Sequence, residues 1–160
     1  MQGTLKYYTG DALQPLQGGM IICPHICNTL GKWGSGFVVA ISKKWIKPEQ
    51  EYRNWFRSQN NFKLGEVQLV TVQSEFCIAN MIAQEGIGLD KDGNIPLRYP
   101  ALSQCLEKVA KAALDQNATI CAPKFGSDRS MGDWNKIESM IIDKWVNKGL
   151  KVNIYLYHNN

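Results

Sequence analysis

Short apolar runs occur along the whole chain and are separated by polar or glycine-rich links. Runs rich in β-branched and aromatic residues and bounded by turn-forming residues are typical of strands. The polar link Gln73-Ser74-Glu75 suits a hairpin between two of them. The pattern predicts strands at Leu5 to Tyr8, Met20 to Cys23, Val67 to Val72, Phe76 to Ile82, Thr119 to Ala122 and Val152 to Tyr157.

Other stretches carry apolar residues every three or four positions, which places those residues on one face of a helix. Pro48 separates a first helix from a second helical segment at Glu49 to Phe56, and Gly149 ends the last helix. The glycine-rich segment Gly86 to Asn94 predicts a loop. The apolar helix faces are Phe37, Ile41 and Trp45; Leu102, Leu106, Val109 and Ala113; and Trp134, Ile137, Ile141 and Trp145.

Strands that alternate with amphipathic helices predict an α/β sandwich, a sheet covered by helices on both faces. The hairpin breaks strict alternation, so we expect a mixed sheet. Ligands of such sheets bind beyond the carboxyl ends of the strands, where loops lead into helices. The segments to inspect for chemistry therefore follow Cys23, Met81 and Ala122.

The chain has 160 residues, of which 44% are hydrophobic and 20% charged, fractions typical of a soluble domain. No apolar run approaches the roughly 18 residues of a membrane-spanning helix. The first residues also lack the basic flank and apolar stretch of a secretory signal. We therefore expect one domain over residues 1–160, located in the cytoplasm and away from membranes.

The formal net charge is +4, from 18 basic and 14 acidic residues that are scattered along the chain. This mild excess attracts anions but lacks the clustered basic stripe of a nucleic-acid-binding protein. Cys23, Cys77 and Cys121 lie in apolar runs and are expected to be buried, reduced thiols. Because the spacing of Cys23, Cys27 and His25 fits no standard zinc site, we expect neither a metal nor a cofactor.

The segment between the second strand and the first helix carries Gly31, Gly34 and Gly36. Glycines let backbone N–H groups approach an anion, and the helix N-terminus adds a positive dipole end. The pattern is neither a dinucleotide fingerprint nor a P-loop, so an anion-binding loop and a tight structural turn both remain open. His25 and Asn28, expected at the mouth of this loop, favour binding.

A second loop, Pro123 to Trp134, also carries glycines and hydroxyl groups and opens the last helix. Two such loops at neighbouring strand ends are expected to hold a diphosphate from both sides. Asp133 is expected to cap the last helix. Asp11, after the first strand, is either a turn residue or an acceptor for an exocyclic amine such as that of adenine. For Gln84, after the hairpin, a solvated side chain is the alternative to a functional role.

Together these residues resemble the macro domain family of ADP-ribose-binding modules, over nearly the whole chain. The His-x-Cys-Asn and Gly-x-Trp-Gly-x-Gly details are similar to the branch with yeast-type ADP-ribose 1″-phosphate phosphatases and small phage or bacterial homologues. The resemblance is carried by Gly10-Asp11, His25-x-Cys27-Asn28, Gly31-x-Trp33-Gly34-x-Gly36-Phe37, Leu64-Gly65-Glu66-Val67, Ala79-Asn80-Met81-Ile82-x-Gln84, Pro123-Lys124-Phe125-Gly126 and Asp133-Trp134.

The resemblance implies a three-layer α/β/α sandwich with ADP-ribose across the carboxyl edge of a mixed sheet. It assigns Asp11 to the adenine amine, Asn28 to the distal ribose and Tyr155 to packing against adenine, although Tyr155 also fits ordinary strand packing. The remaining ligand contacts that it implies are Gly31, Trp33, Gly34, Ser35, Gly36 and Phe37 in the first loop, and Gly126, Ser127, Arg129 and Ser130 in the second.

The candidate catalytic residues are His25, Asn28 and Asp128; the resemblance implies the first two, and a departure from the family pattern adds Asp128. His25 matches a histidine suspected of catalysis in the phosphatase branch, where an imidazole acts as nucleophile or base or orients water; a buried structural histidine is the alternative. Asp128 replaces a usual second glycine of the loop. Its carboxylate repels a diphosphate unless Arg129 offsets the charge or Asp128 points to solvent, and it is a candidate acid or water-positioning group.

The predicted function is binding of ADP-ribose and hydrolysis of ADP-ribose 1″-phosphate to ADP-ribose and phosphate. The alternatives are a mono-ADP-ribosyl hydrolase acting on modified macromolecules, a non-catalytic ADP-ribose-binding module, and an α/β domain whose glycines are structural. No lysine is assignable as a covalent nucleophile for removing ADP-ribose from side chains, which favours the phosphatase.

Overall fold

The computed structural model describes residues 2–157, which form one six-stranded sheet with helices on both faces. The strands are β1 (Thr4–Thr9), β2 (Ile21–Asn28), β3 (Val67–Gln73), β4 (Phe76–Gln84), β5 (Thr119–Pro123) and β6 (Lys151–Leu156). The helices are α1 (Phe37–Lys44), α2 (Lys47–Ser58), α3 (Tyr99–Gln116) and α4 (Trp134–Lys144), and a 3₁₀ turn, Val146–Lys148, follows α4.

The strand order across the sheet is β1-β6-β5-β2-β4-β3. All neighbours pair in parallel except β3, which runs antiparallel to β4 as the first strand of a hairpin. The mixed sheet and the hairpin predicted from the sequence are therefore confirmed. Because the other strands run in one direction, their carboxyl ends meet at a single edge of the sheet.

Two apolar clusters separate the helices into layers. Side chains of α3 and α4, such as Leu106 and Ile141, pack with Ile22 and Ile120 on one face of the sheet. Ile41 of α1 and Tyr52 of α2 belong to the cluster on the other face. Since alternate residues of a strand point to opposite faces, both faces are covered, and the three-layer α/β/α sandwich is confirmed.

The helix boundaries follow local chemistry. Pro48 lies in the first turn of α2, where its missing N–H is not needed, so it begins the second helix rather than merely interrupting the first. The Asp133 side chain accepts a hydrogen bond from the Asn135 N–H at 3.0 Å, which confirms the predicted N-cap of α4. The last helix ends at Lys144, earlier than the predicted stop at Gly149, which instead caps the 3₁₀ turn Val146–Lys148.

The second strand differs most from its predicted bounds, because β2 continues to Asn28 instead of ending at Cys23. Pro24 and the polar His25 interrupt the apolar run, so the hydrophobic pattern stops early. The structure continues the strand because β4 pairs along it as far as Asn28 and Gln84, with a register shift after Cys27. His25 and Asn28 therefore lie within a strand and not in the loop that follows it.

The final strand is buried on both faces from Val152 to Tyr155, because β6 lies between β1 and β5. The five cysteines are free and buried, as expected for Cys23, Cys77 and Cys121. Among residues 2–157, no helix combines the length and apolar character that crossing a membrane requires.

Candidate functional site

The carboxyl edge of the sheet carries two loops that come from distant parts of the sequence. We call residues 29–36, between β2 and α1, the glycine loop, and residues 124–133, between β5 and α4, the facing loop. Both leave the same edge because β2 and β5 are parallel. This is the edge at which open α/β sheets bind ligands.

The glycine loop leads into a helix end that lacks an internal counter-charge. Gly36 precedes α1 with φ 87° and ψ −148°, no side chain caps the helix, and its first turn has no acidic residue. A β-carbon on Gly34 would meet no other atom within 4 Å, so this position faces open space. Free N–H groups at the helix N-terminus and the dipole of the helix both favour an anion here.

The facing loop is closed by its own backbone hydrogen bonds. The Gly132 N–H donates to the Gly126 carbonyl at 2.7 Å, and the Met131 N–H donates to the Asp128 carbonyl at 3.1 Å. Gly126 has φ 85°, and a β-carbon there would approach Ile137 Cδ1 to 2.8 Å. Gly126 is favoured chiefly by its positive φ, which strains residues with a side chain, and it packs closely against Ile137 of α4.

The two loops adjoin, as the sequence predicts. A β-carbon placed on Gly36 would lie 3.7 Å from Cγ of Arg129, so the Arg129 side chain crosses from the facing loop to the glycine loop. Arg129 and Asp128 are both exposed, and within residues 2–157 neither forms an ion pair. The side chain of Arg129, a cation without an ion pair among the described residues, thus packs near the residue that precedes the uncapped helix, and both features favour a negatively charged ligand.

His25 is not at the mouth of the loop, which corrects the sequence-based expectation. It lies within β2, with 2% of its surface exposed. The centroid of its ring is 5.3 Å from that of Trp33 and 6.0 Å from that of Phe37. Trp33 belongs to the glycine loop and Phe37 is the first residue of α1, and these two rings pack against the buried imidazole. Its position therefore does not support direct contact of His25 with a ligand.

The tautomer of His25 follows from its hydrogen-bond partners. The amide nitrogen of Asn80 donates to the Gln68 Oε1 at 3.0 Å and to the Pro48 carbonyl at 3.4 Å, so its oxygen faces His25. His25 Nε2 lies 2.5 Å from this oxygen and must carry the proton that it donates. Nδ1 then holds a buried lone pair, and it has no partner within the described residues.

The surroundings of His25 also determine its charge. Burial lowers the pKa of His25 from its ordinary value of 6.5 to about 4, against the opposing effect of the hydrogen bond to Asn80. The ring is therefore neutral near neutral pH. A neutral, covered imidazole can hold the rings of Trp33 and Phe37 in place under the glycine loop.

The side chain of Asn28 forms hydrogen bonds with the turn that follows it. Its Oδ1 accepts hydrogen bonds from the Leu30 N–H at 2.9 Å and the Lys32 N–H at 3.1 Å, and its Nδ2 donates to the Lys32 carbonyl at 2.9 Å. The Tyr52 hydroxyl donates to the backbone carbonyl of Asn28 at 2.5 Å. Asn28 therefore shapes the first half of the glycine loop rather than presenting a free amide to a ribose.

Several other predicted contacts within the glycine loop point into the protein. A β-carbon on Gly31 would lie 2.4 Å from the ring of Phe56, so this glycine is required by packing against α2. The buried Trp33 donates its indole N–H to the Ser42 hydroxyl at 2.7 Å. Phe37 is half-buried, whereas Ser35 is exposed. Gly34, Ser35 and Gly36 thus form an exposed segment directly before α1.

Tyr155 also packs inside the protein, although it lies at the predicted edge. It is 3% exposed, and its ring stacks on Tyr8 at 5.3 Å between centroids. Its hydroxyl accepts from the Leu16 N–H at 2.9 Å and donates to the Gln17 Oε1 at 2.7 Å. The side chain thus holds the loop after β1 and, in this structure, is not an open surface for adenine. Asp11, in that same loop, is half-buried.

Gln84 is buried, so the solvated side chain that the sequence left open as an alternative is not what the structure shows. It is 7% exposed, and its Oε1 accepts a hydrogen bond at 2.7 Å from the hydroxyl of Ser130, which is 4% exposed. The Ser130 hydroxyl is therefore directed toward β4, while Ser127 of the same loop is half-buried. An isolated glutamine after a strand has no sequence signature of such a contact.

Within residues 2–157, no cluster of three or more potential metal-ligating side chains is present.

The fold and the two loops define a class of protein: a three-layer α/β/α sandwich with an anion-attracting cleft at the carboxyl edge of its sheet. Two solved structures share this architecture. A protein of unknown function from Bacteroides thetaiotaomicron is 41% identical with a TM-score of 0.95, covering 96% of this chain and 98% of that one. A macrodomain protein from Streptomyces coelicolor is 38% identical with a TM-score of 0.84, covering 95% and 98%. The chain therefore belongs to the macrodomain family.

Two curated proteins are more distant relatives. The ADP-ribose 1″-phosphate phosphatase of Lodderomyces elongisporus is 25% identical over 96% of this chain and 98% of its own length. The chromodomain-helicase-DNA-binding protein 1-like of Danio rerio is 27% identical over 96% of this chain, which spans 16% of the length of that relative. No family model matches the chain.

Proposed function

We propose that the chain binds ADP-ribose with the diphosphate between the glycine loop and the facing loop. This proposal rests on the approach of the Arg129 side chain to Gly36. That approach makes the two loops the walls of one cleft. Backbone N–H groups, a helix N-terminus and a guanidinium each stabilise phosphate oxygens. The name of the Lodderomyces elongisporus relative supports ADP-ribose as the nucleotide.

The two ends of the nucleotide extend along the carboxyl edge from this diphosphate site. Asp11 Oδ1 accepts a hydrogen bond from the Leu13 N–H at 2.9 Å, and Oδ2 then accepts from the adenine amine. The distal ribose borders the turn that Asn28 shapes. In this arrangement Gly34, Ser35 and Gly36 contact the diphosphate through their backbone N–H groups.

Calorimetric titration with ADP-ribose tests this proposal, with AMP as the comparison ligand. We expect one-to-one binding of ADP-ribose and much weaker binding of AMP, because AMP has one phosphate and cannot span both loops. No heat of binding at millimolar ADP-ribose would favour a domain whose glycines are only structural. Equal affinity for AMP would contradict the placement of the diphosphate between the loops.

We further propose that the chain hydrolyses ADP-ribose 1″-phosphate to ADP-ribose and phosphate. Water attacks the phosphorus atom, the bond from phosphorus to the 1″ oxygen breaks, and a proton passes from water to the departing oxygen. Asp128, an exposed carboxylate beside the cleft, orients the water and carries the proton. Arg129 stabilises the charge on the phosphoryl oxygens. Because His25 is buried, we do not assign the water-orienting and proton-carrying role to this histidine.

Release of inorganic phosphate from ADP-ribose 1″-phosphate separates this enzyme from a binding module. We expect Asp128→Asn to lower kcat at least about tenfold, with little change in ADP-ribose affinity, whereas Asp143→Asn on the exposed side of α4 should change neither. Binding without phosphate release would identify a non-catalytic module. Release of ADP-ribose from a modified macromolecule, without phosphate release, would identify the alternative hydrolase.

A further inference from the structure

The side chain of Gln84 connects two segments at the cleft edge of the sheet. Its Oε1 accepts the hydrogen bond of the Ser130 hydroxyl in the facing loop at 2.7 Å. Its Nε2 donates to the Gly86 carbonyl, in the turn after β4, at 2.9 Å. Both ends of the Gln84 amide therefore form hydrogen bonds within the protein, and the bond from Oε1 joins it to the facing loop.

The backbone around Gln84 completes the connection to the glycine loop. The Thr29 N–H donates to the Gln84 carbonyl at 3.0 Å, and the Thr29 hydroxyl accepts from the Gly86 N–H at 2.9 Å. The Leu97 N–H donates to the Ser130 carbonyl at 3.1 Å, while Leu97 also forms a bridge with Gln84. The end of β4 is thus bonded to the start of the glycine loop and to the facing loop.

The chemistry of the contact requires an amide. Gln84 and Ser130 are both buried, so an unpaired polar atom on either side chain carries a desolvation cost. A carboxylate at position 84 keeps an acceptor for Ser130 but loses the donor for Gly86. A lysine keeps a donor but loses the acceptor for Ser130. Only a side chain with one donor end and one acceptor end satisfies both partners.

We propose that Gln84 is a positioning residue that sets the separation of the two walls of the ligand cleft. It acts through Ser130, whose hydroxyl is engaged by Gln84. The inference rests on the proposed function insofar as the cleft binds ADP-ribose, but the connection itself is independent of any ligand. The facing loop has no strand partner of its own, so the contact with Gln84 and the bond from Leu97 hold it at this edge.

The test combines a ligand-free readout with a ligand-binding readout in three variants. Gln84→Met keeps the length of the side chain and removes both hydrogen bonds, and Ser130→Ala removes only the bond between Gln84 and the facing loop. Gln73→Met, at the exposed end of β3, is the matched control. Amide hydrogen exchange at Leu97 and Gly132 reports the facing loop, calorimetry reports the affinity for ADP-ribose, and thermal melting reports global stability.

We expect Gln84→Met and Ser130→Ala each to accelerate exchange at Leu97 and Gly132, and to weaken ADP-ribose binding about fivefold or more. The double variant should lose little beyond the larger single effect, because both changes remove the same bond. Gln73→Met should alter neither readout. Exchange that rises throughout the sheet in proportion to lost global stability would mark Gln84 as a general folding residue and overturn the proposal.

The two proposals fail in different ways. If the unmodified protein does not bind ADP-ribose but the variants loosen the facing loop selectively, the connection through Gln84 stands and the proposed ligand is wrong. If the unmodified protein binds ADP-ribose and the variants bind equally well with unchanged exchange, the proposed function stands and the positioning role of Gln84 is wrong.

Discussion

At the scale of single residues, the surroundings of His25 decide what its imidazole can do. The ring is covered by Trp33 and Phe37, donates its one proton to Asn80 and carries a depressed pKa. A protonated ring would place a charge in this apolar site, which is costly. The neutral His25 is therefore suited to support the glycine loop by packing against Trp33 and Phe37.

The depressed pKa of His25 predicts a stability that depends on pH. Above pH 6.5 the ring is neutral in both the folded and the unfolded chain, so its effect is constant. As the pH falls from 6.5 toward 4, the unfolded chain binds the proton first, and the free energy of unfolding decreases by about 3 kcal/mol. Urea unfolding across this range should show a shallower decrease in His25→Phe than in the unmodified protein. Parallel decreases in both proteins would contradict the burial of His25.

Residue type alone could not predict the direction of these side chains. The sequence places His25, Asn28 and Tyr155 near the carboxyl edge of the sheet, but the side chain of each forms hydrogen bonds within the protein. The polar character of a residue does not reveal whether its partner is a ligand or the protein itself. Gln84 shows the converse, because its importance lies in a hydrogen bond to a loop far away in the sequence.

At the scale of elements, the glycine loop contains two positions with different requirements. Gly36 has φ 87°, a conformation that strains any residue with a side chain. Gly34 lies outside that region, and a β-carbon there meets open space. Gly36 is therefore needed for the loop to form, whereas Gly34 keeps the cleft accessible. A substitution at Gly34 can report on binding without disturbing the fold.

We expect Gly34→Ala to weaken ADP-ribose binding at least about tenfold, because its β-carbon enters the space of the phosphate. The melting temperature should stay the same or rise slightly, since alanine reduces the entropy of the unfolded chain. Gly18→Ala is the matched control, because Gly18 also faces open space without a positive φ. Equal affinities of the two variants in calorimetry would contradict the role of Gly34.

The elements themselves were largely predictable, because apolar spacing identifies each buried strand and helix face. The exception is the carboxyl half of β2, where Pro24 and His25 interrupt the apolar run but β4 continues the pairing. That half of the strand is held by a tertiary partner, which local pattern does not encode. The difference matters for function, because His25 and Asn28, predicted to lie in a loop, are part of the sheet.

At the scale of the whole molecule, parallel pairing brings the glycine loop and the facing loop together from distant parts of the chain. The alternation of strands and helices predicts this meeting without any knowledge of side-chain contacts. The separation of the two walls, by contrast, depends on the buried contact of Gln84 with Ser130. Topology thus predicts where the cleft lies, and particular hydrogen bonds determine its width.

The unpaired Arg129 beside the uncapped end of α1 has a consequence for the empty protein. The positive charge of Arg129 and the positive end of the α1 dipole are close to each other, so their repulsion lowers the stability of the empty protein. Small multivalent anions should therefore act as surrogate ligands. At equal ionic strength, sulfate should raise the melting temperature more in the unmodified protein than in Arg129→Gln. An identical rise in both proteins would show that Arg129 and the N-terminus of α1 do not bind the anion together. Folding of this chain would thus be coupled to the ionic composition of its surroundings.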